Sequence, residues 1–260
     1  MGEGGRVTDY DRIADRYDAR YRVYAYDGVR ETLNGFLGDR PGSVLEVGCG
    51  TGHWLDLLKA QLRPLAYGID PSAQMLAYAA ARSAKAAERP RLARARAEDL
   101  PFPDQSFDRL FCVNALHHFG DRARFFAEAR RVLKPRGGLL TIGMDPHTDR
   151  DEWWVYDYFD ETRAIDRERY SRVRTLRGEM ALAGFAWTES MEADRMELVR
   201  PASEALVNGV VETSFTSQLT LLSDDEFRKG SDRLRQANEA AGGELQLVTD
   251  LRLYATIGWR

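Results

Sequence analysis

The stretch EVGCGTGHW (residues 46–54) carries three glycines in five positions directly after an apolar run, so its backbone can approach something that side chains would hold off. A glycine loop that leaves a strand and opens a helix predicts unpaired backbone N–H groups beside a helix N-terminus, a place suited to a polar or anionic ligand. Twenty positions after Gly50, at the end of the next apolar run, stands Asp70. A carboxylate there can accept both hydroxyls of a ribose. Loop and acid together predict a cofactor that contains a nucleoside. A dinucleotide site asks for G-x-G-x-x-G, whereas the spacing here is G-x-G-x-G, with His53 in the next place and Glu46 two positions before the first glycine.

Three further groups have chemical potential. His117 and His118 carry imidazoles that ordinarily titrate near neutral pH, so His117 is the candidate general base for a hydroxyl or amine nucleophile; reaction by alignment alone is the other reading. DPHTDRDE (145–152) has metal-ligand composition but reads as a solvated acidic loop, and no metal is predicted. WWVYDYF (153–159) is too aromatic for a solvated loop and either packs a helix onto a sheet or walls a pocket. Cys49 and Cys112 are the only cysteines and read as free thiols.

The elements that must position these groups alternate. Apolar runs at 43–47, 65–70, 91–95, 108–116 and 139–144 are separated by helical patterns at 51–62, 72–87 and 121–133, with KPRGG (134–138) breaking the chain before the last run. Strand and helix in alternation predict a parallel sheet with crossover helices, and ligands then sit beyond the carboxyl ends of the strands. After Asp145 the regularity stops. Residues 146–167 look irregular, 168–183 helical up to Gly184, and 186–199 extended. Residues 222–243 read as a helix with Ser223 as N-cap and Gly242 as stop, and the alternating LQLVTDLRLYATIGWR predicts a long strand, antiparallel to its neighbours.

With 260 residues, 43% of them hydrophobic and 30% charged, the chain has the composition of an ordinary globular protein. Its net charge of -4 gives no general attraction to nucleic acid or to an anionic membrane surface. No stretch has the ~18 apolar residues of a membrane span, nor does the start have the apolar core of a signal peptide, so a cytoplasmic monomer or homodimer is expected.

At this point the sequence resembles the class I S-adenosylmethionine-dependent methyltransferases. EVGCGTG fits their (D/E)-x-G-x-G-x-G motif at every defined position. YGIDPSAQML (67–76) looks like their ribose-binding motif, AEDLPFPDQSFD (97–108) like the adenine-side segment, FCVNALHHF (111–119) like the fourth strand, and RRVLKPRGGLLTIG (130–143) like the motif before the fifth. The branch most similar is that of quinone-biosynthesis C-methyltransferases and other small-molecule enzymes. The resemblance implies that Gly48, Cys49 and Gly50 line the methionine portion of S-adenosylmethionine, with Glu46 near its amino group, and that Thr51 begins the helix. It further implies Asp70 on the ribose, Pro71 and Met75 flanking the adenine, Ala97 and Glu98 at the adenine edge, and Val113 and Asn114 beneath the sulfonium. Arg96 departs from the family, which usually has an acidic residue or Asn there, so the amino-group contact falls to Glu98 or Asp99. YDRIADRYDARY (10–21) resembles the short helix that closes over the cofactor, with Tyr10 and Tyr17 on one face either as packing aromatics or as a lid.

The expected architecture is α/β and Rossmann-like: a mostly parallel seven-stranded sheet with helices on both faces and a helical cap. Residues 1–40 supply cap helices, 41–144 the cofactor-binding core, and 145–260 the remaining strands with substrate-cap insertions. The expected function is transfer of the cofactor's methyl group to a small-molecule acceptor, leaving S-adenosylhomocysteine. A nucleic-acid methyltransferase is disfavoured by net charge and by NALH standing where an NPPY-like tetrapeptide would be. A cofactor-binding sensor or partner subunit without transferase activity is the alternative of another class.

Overall fold

A short helix α1 (Tyr10–Ile13), a single turn at Tyr17–Ala19 and helix α2 (Arg20–Val23) precede α3 (Asp27–Leu37), the first element with a buried apolar face. This computed structural model describes residues 10–58, 65–84, 86, 89–208, 210–213 and 215–260. The expectations that touch residues 1–9, the end of the helical pattern at 51–62, and Lys85 and Ala87 in the pattern at 72–87 lie outside them. Alternation then proceeds through β1 (Val44–Val47), α4 (His53–Leu57), β2 (Ala66–Asp70), α5 (Ala73–Ser83), β3 (Arg91–Arg94), β4 (Phe107–Val113), α6 (Arg122–Val132) and β5 (Leu133–Met144). Helix starts are set by side chains: Ser72 accepts from Met75 N and Asp121 from Arg124 N.

Four boundaries differ from the sequence reading. β4 ends at Val113, because Asn114 turns the chain at φ 50°. KPRGG does not break the chain but belongs to β5, where a shifted register between Phe107 and Arg109 and a φ of 66° at Arg136 absorb the extra residues. Residues 146–151 are irregular as expected, but the rest of 146–167 is not: it forms β6 (Glu152–Trp153), α7 (Trp154–Tyr158) and most of α8 (Glu161–Arg169). The single helix expected over 168–183 is split, α8 ending at Arg169 and α9 (Val173–Leu182) following after a bend.

The C-terminal part adds β7 (Trp187–Pro201), α10 (Ala202–Val207), α11 (Asp224–Ala240) and β8 (Gln246–Trp259). Ser223 and Glu226 form a capping box on α11, and Gly242 takes φ 65° just beyond it.

One sheet of eight strands results, in the order β3-β2-β1-β4-β5-β8, with β6 also on β8 and β7 along the other side of β8. β1 to β5 are parallel, and β8 runs antiparallel to β5, β6 and β7. The fold is therefore Rossmann-like and mostly parallel, the two-residue β6 raising the expected seven strands to eight. Period-two alternation divides the core: Phe111 and Val113 face a layer with Leu33, Phe36, Trp54 and Trp154, while Leu110 and Cys112 face Phe125, Phe126 and Met180. Among the described residues no helix is long and apolar enough to cross a membrane. Since β2 and β4 flank β1 on opposite sides, the connections leaving β1 and β4 diverge, and a crevice opens at their carboxyl ends.

Candidate active site

That crevice is a cavity of about 460 Å³. The glycine loop forms its floor. Gly48 and Gly50 adopt φ 72° and 52°, and a Cβ on Gly48 would stand 2.6 Å from the Cβ of Ala115. The loop amides do not wait for an anion, as the spacing had suggested. Gly48 N and Cys49 N both donate to Ile69 O at 2.9 Å, and Gly50 N donates to the Asp70 carboxylate. Glycine serves here for close approach and left-handed backbone, not for anion capture.

Asp70 is 9% exposed and held at both oxygens, Oδ2 by Gly50 N and Oδ1 by Ser72 N, each at 2.9 Å. Each oxygen retains a lone pair toward the cavity. Burial raises its pKa, and the two backbone donors oppose that shift. Pro71, Met75 and Ala97 continue the wall beside it, joined by Ile69 and Ala95, which the motif reading did not include. Glu98 also lines the cavity, but its carboxylate braces the start of α6: Oε1 accepts from Gly120 N at 2.6 Å and Asp121 N at 3.3 Å, while Oε2 faces Arg96 Nε at 3.4 Å.

Glu46, Cys49, Thr51 and Val113 stand behind this wall and do not line the cavity. Thr51 lies before the helix, whose N-cap is Gly52, and its hydroxyl donates to Asp18 at 2.6 Å. Glu46 is 1% exposed, and its Oε2 has no hydrogen-bond partner. Burial, then the nearby Asp70 charge, holds its pKa well above the ordinary carboxylate value.

The N-terminal segment closes the top. Tyr10 and Tyr17 meet edge to face at 5.8 Å and both line the cavity. The segment is tied down on either side, by Ser72 Oγ donating to Asp11 and by Asp18, which accepts from Thr51 and Arg82. The two tyrosines therefore pack together and both stand in the cavity wall.

Opposite Asp70, Asn114, His117 and His118 form the far wall. Asn114 holds a left-handed φ of 50°, a strain of the kind that accumulates at functional positions. His117 lies against the Tyr170 ring, centroids 4.1 Å apart, with the phenolic oxygen 3.2 Å from Nε2. His118 is bonded to Tyr10. Burial, then the neighbouring His118, Arg169 and Arg20, keeps the His117 imidazole neutral well below its ordinary range. Burial and the same two arginines push His118 down to about 3. Arg169 and Leu221 join the lining without any motif having marked them.

A smaller cavity of about 60 Å³ shares Tyr10, Asn114, His117 and His118 with the large one and reaches Arg20, Trp153 and Tyr170. The acidic run beside it is not a solvated loop. Asp145 and Asp151 are buried, Asp145 accepting from His147 N and Val173 N and Asp151 from Arg252 N.

Residues 45–141 match the family described as methyltransferase domain. A demethylmenaquinone methyltransferase of Thermotoga maritima is 33% identical over 160 residues, 59% of this chain and 68% of that protein. A phthiotriol/phenolphthiotriol dimycocerosates methyltransferase of Mycobacterium ulcerans is 38% identical over 42% of this chain, and only 40% of that relative's length is spanned. The crystal structure of a putative methyltransferase from an antibiotic biosynthesis pathway of Anabaena variabilis superposes with a TM-score of 0.65 at 20% identity, over 88% of this chain and 96% of that one. A glycine loop under a cavity, an anchored acid at the end of β2 and these matches agree, and the chain belongs to the class I S-adenosylmethionine-dependent methyltransferases.

Proposed function

We propose that this enzyme methylates a small molecule that enters beside Asn114 and His117, and that the cofactor lies along the large cavity with its ribose on Asp70. One observation carries the reading: the 460 Å³ cavity contains an anchored carboxylate and shares Tyr10, Asn114 and the histidine pair with a second space. The donor set fits S-adenosylmethionine. Asp70 has free lone pairs for two hydroxyls, Met75 and Pro71 offer apolar faces for a purine, and the buried, unpartnered Glu46 Oε2 suits an ammonium group reached through the loop. When bound, the cofactor would supply a methyl on a sulfonium, already electrophilic, for displacement by the acceptor with the thioether as leaving group.

The chain's contribution is alignment and exclusion of water. Asn114 and His117 hold the acceptor's nucleophilic atom in line, and Tyr10 and Tyr17 cover the reacting centre. His117 is neutral and weakly basic in this environment, so it orients by accepting a hydrogen bond, and the acceptor's proton passes to solvent. Residues 41–144 provide the cofactor site, and the chain beyond Asp145 selects the acceptor through Trp153, Tyr170 and their neighbours. The relatives named for menaquinone and phthiotriol derivatives support a small acceptor, and the net charge of -4 speaks against nucleic acid.

Purified protein incubated with S-adenosylmethionine and fractions of a small-molecule extract is expected to form S-adenosylhomocysteine above the extract-free blank. No formation with any fraction, together with unmeasurable cofactor binding, overturns the reading. A pH dependence follows from the lowered imidazole pKa values. A depressed pKa keeps the neutral form down to that lower pH, so kcat/KM lacks the histidine limb with a midpoint near the ordinary value of about 6.5. A limb at that midpoint that vanishes in His117→Gln would show instead a histidine acting as an ordinary base.

A further inference from the structure

Two arginines converge on the space beside the histidine pair, and neither has a full set of partners. Arg20 lines the smaller cavity. Its Nε donates to Tyr17 O at 3.1 Å and its guanidinium lies 3.8 Å from the centroid of the Tyr17 ring, while Nη2 is buried with no hydrogen-bond partner. Among the described residues no carboxylate pairs with it. Arg169, at the end of α8, lines the larger cavity, and its side chain is 13% exposed. Its Nη2 donates to Ser217 Oγ at 3.2 Å, and Nη1 is buried without a hydrogen-bond partner.

The nearest carboxylate to Arg169, Asp166, is already committed. It stands 3.9 Å from Nη1, beyond hydrogen-bond range, and accepts from Tyr156 OH at 2.7 Å and from Gln218 Nε2 at 3.1 and 2.9 Å. Buried guanidinium N–H groups without acceptors are costly, since desolvation is not repaid by any bond. One lines each of two cavities that share Tyr10, Asn114, His117 and His118, and both act on the same two imidazoles, so together they form a site completed by an anion. The smaller cavity also has an apolar side, with Met144, Met196, Phe215, Leu251 and Leu253 in its wall, next to the polar Thr216, Ser217 and Gln218.

We infer that the methyl acceptor is an organic anion with an apolar body, whose carboxylate or phosphate group is held between Arg20 and Arg169. The inference rests on the methyl-transfer reading for the identity of the ligand as acceptor, but the anion site itself is testable alone. Arg20 lines the smaller cavity and not the one that holds Asp70, which sets it on the acceptor side, while Arg169, though it lines the larger cavity, lies over the Tyr170 ring that stacks on His117 and lines the smaller one. A guanidinium pair also accounts for specificity: a neutral analogue of the same shape leaves a buried N–H group on each arginine without an acceptor, and such losses discriminate more strongly than a missing methylene.

Calorimetry with phenylacetate, phenyl phosphate and neutral phenylacetamide, each titrated with and without saturating S-adenosylhomocysteine, tests this. At least one anion is expected to bind about tenfold or more tightly than the amide, and which of the two does so distinguishes a carboxylate from a phosphate acceptor. Arg20→Gln and Arg169→Gln should each remove most of that preference, Arg20→Gln with S-adenosylhomocysteine affinity within about threefold of wild type, whereas Arg169→Lys keeps part of it. Equal binding of anion and amide by the wild-type protein, or no anion binding at millimolar concentration, overturns the inference whether or not the variants fold. So does a tenfold loss of S-adenosylhomocysteine affinity in Arg20→Gln with anion binding unchanged, since Arg20 would then serve the cofactor. Failure of the wild-type protein to bind S-adenosylhomocysteine counts against the methyl-transfer reading and leaves the anion panel to be judged on its own result.

Discussion

Asp70→Ala is expected to weaken S-adenosylhomocysteine binding by more than about tenfold, because a hydrogen bond to a charged acceptor contributes about 1.5–3 kcal/mol and the ribose offers two hydroxyls. The loss has a second source. Asp70 ties Gly50 N and Ser72 N, each at 2.9 Å, so alanine frees the glycine loop from the start of α5 as well as removing the acceptor. Asp70→Asn separates the two effects: its amide oxygen replaces one acceptor without the charge, and affinity should fall between those of wild type and alanine. Calorimetry on the three proteins, with thermal unfolding as a check on the fold, reads the difference. Affinity of the alanine variant within about threefold of wild type would remove the ribose from Asp70.

Trp154→Ala is expected to cost about 3–5 kcal/mol of stability, the range for deleting a large aromatic from a closed core. Trp154 is 2% exposed, meets Phe159 edge to face at 6.2 Å and belongs to the layer that packs α7 beneath α11. Its neighbour Trp153 is as deeply buried but lines the smaller cavity. Two adjacent tryptophans therefore have separate tasks, because Trp153 is the last residue of β6 and Trp154 the first of α7. Urea unfolding should show the full loss for Trp154→Ala, while Trp153→Phe should change the Michaelis constant for an acceptor with cofactor affinity within a few-fold. A cost below about 1 kcal/mol for Trp154→Ala would mean that this layer is not close-packed.

The cofactor half was legible because its determinants are local. A glycine is forced wherever backbone must turn left-handed against a neighbour, as at Gly48 over Ala115, and an acid ending a strand declares itself by position. The bonding of the loop was not legible: Gly48 N and Cys49 N find Ile69 O on an adjacent strand, a partner that only the sheet supplies. Glu98 was assigned to a ligand edge, yet the Gly120–Asp121 turn takes its Oε1. α7 is one of the two readings of WWVYDYF, but α8 escaped because its charged residues carry no long apolar stripe, and tertiary burial, not propensity, decides its form. Arg169 follows no motif at all. Its place beside His117 exists only once α8 has been folded back across the strand ends.

β8 pairs with β5 from Gly138↔Trp259 to Met144↔Leu253, with β6, and with the length of β7. Three strands thus wait for one that is made after all of them. On a ribosome adding roughly 5–20 residues per second, the apolar edge of β5 stays open for on the order of ten seconds after it emerges. The nascent protein is then a half-sheet with its N-terminal cofactor loop already encoded and a sticky flank, the species most exposed to a neighbouring nascent chain. The same order makes the fold sensitive to residues 249–259: without them β5 and β6 lose their partner on that side and β7 keeps only its pairs at 246–248, so the glycine loop is intact but the sheet cannot close.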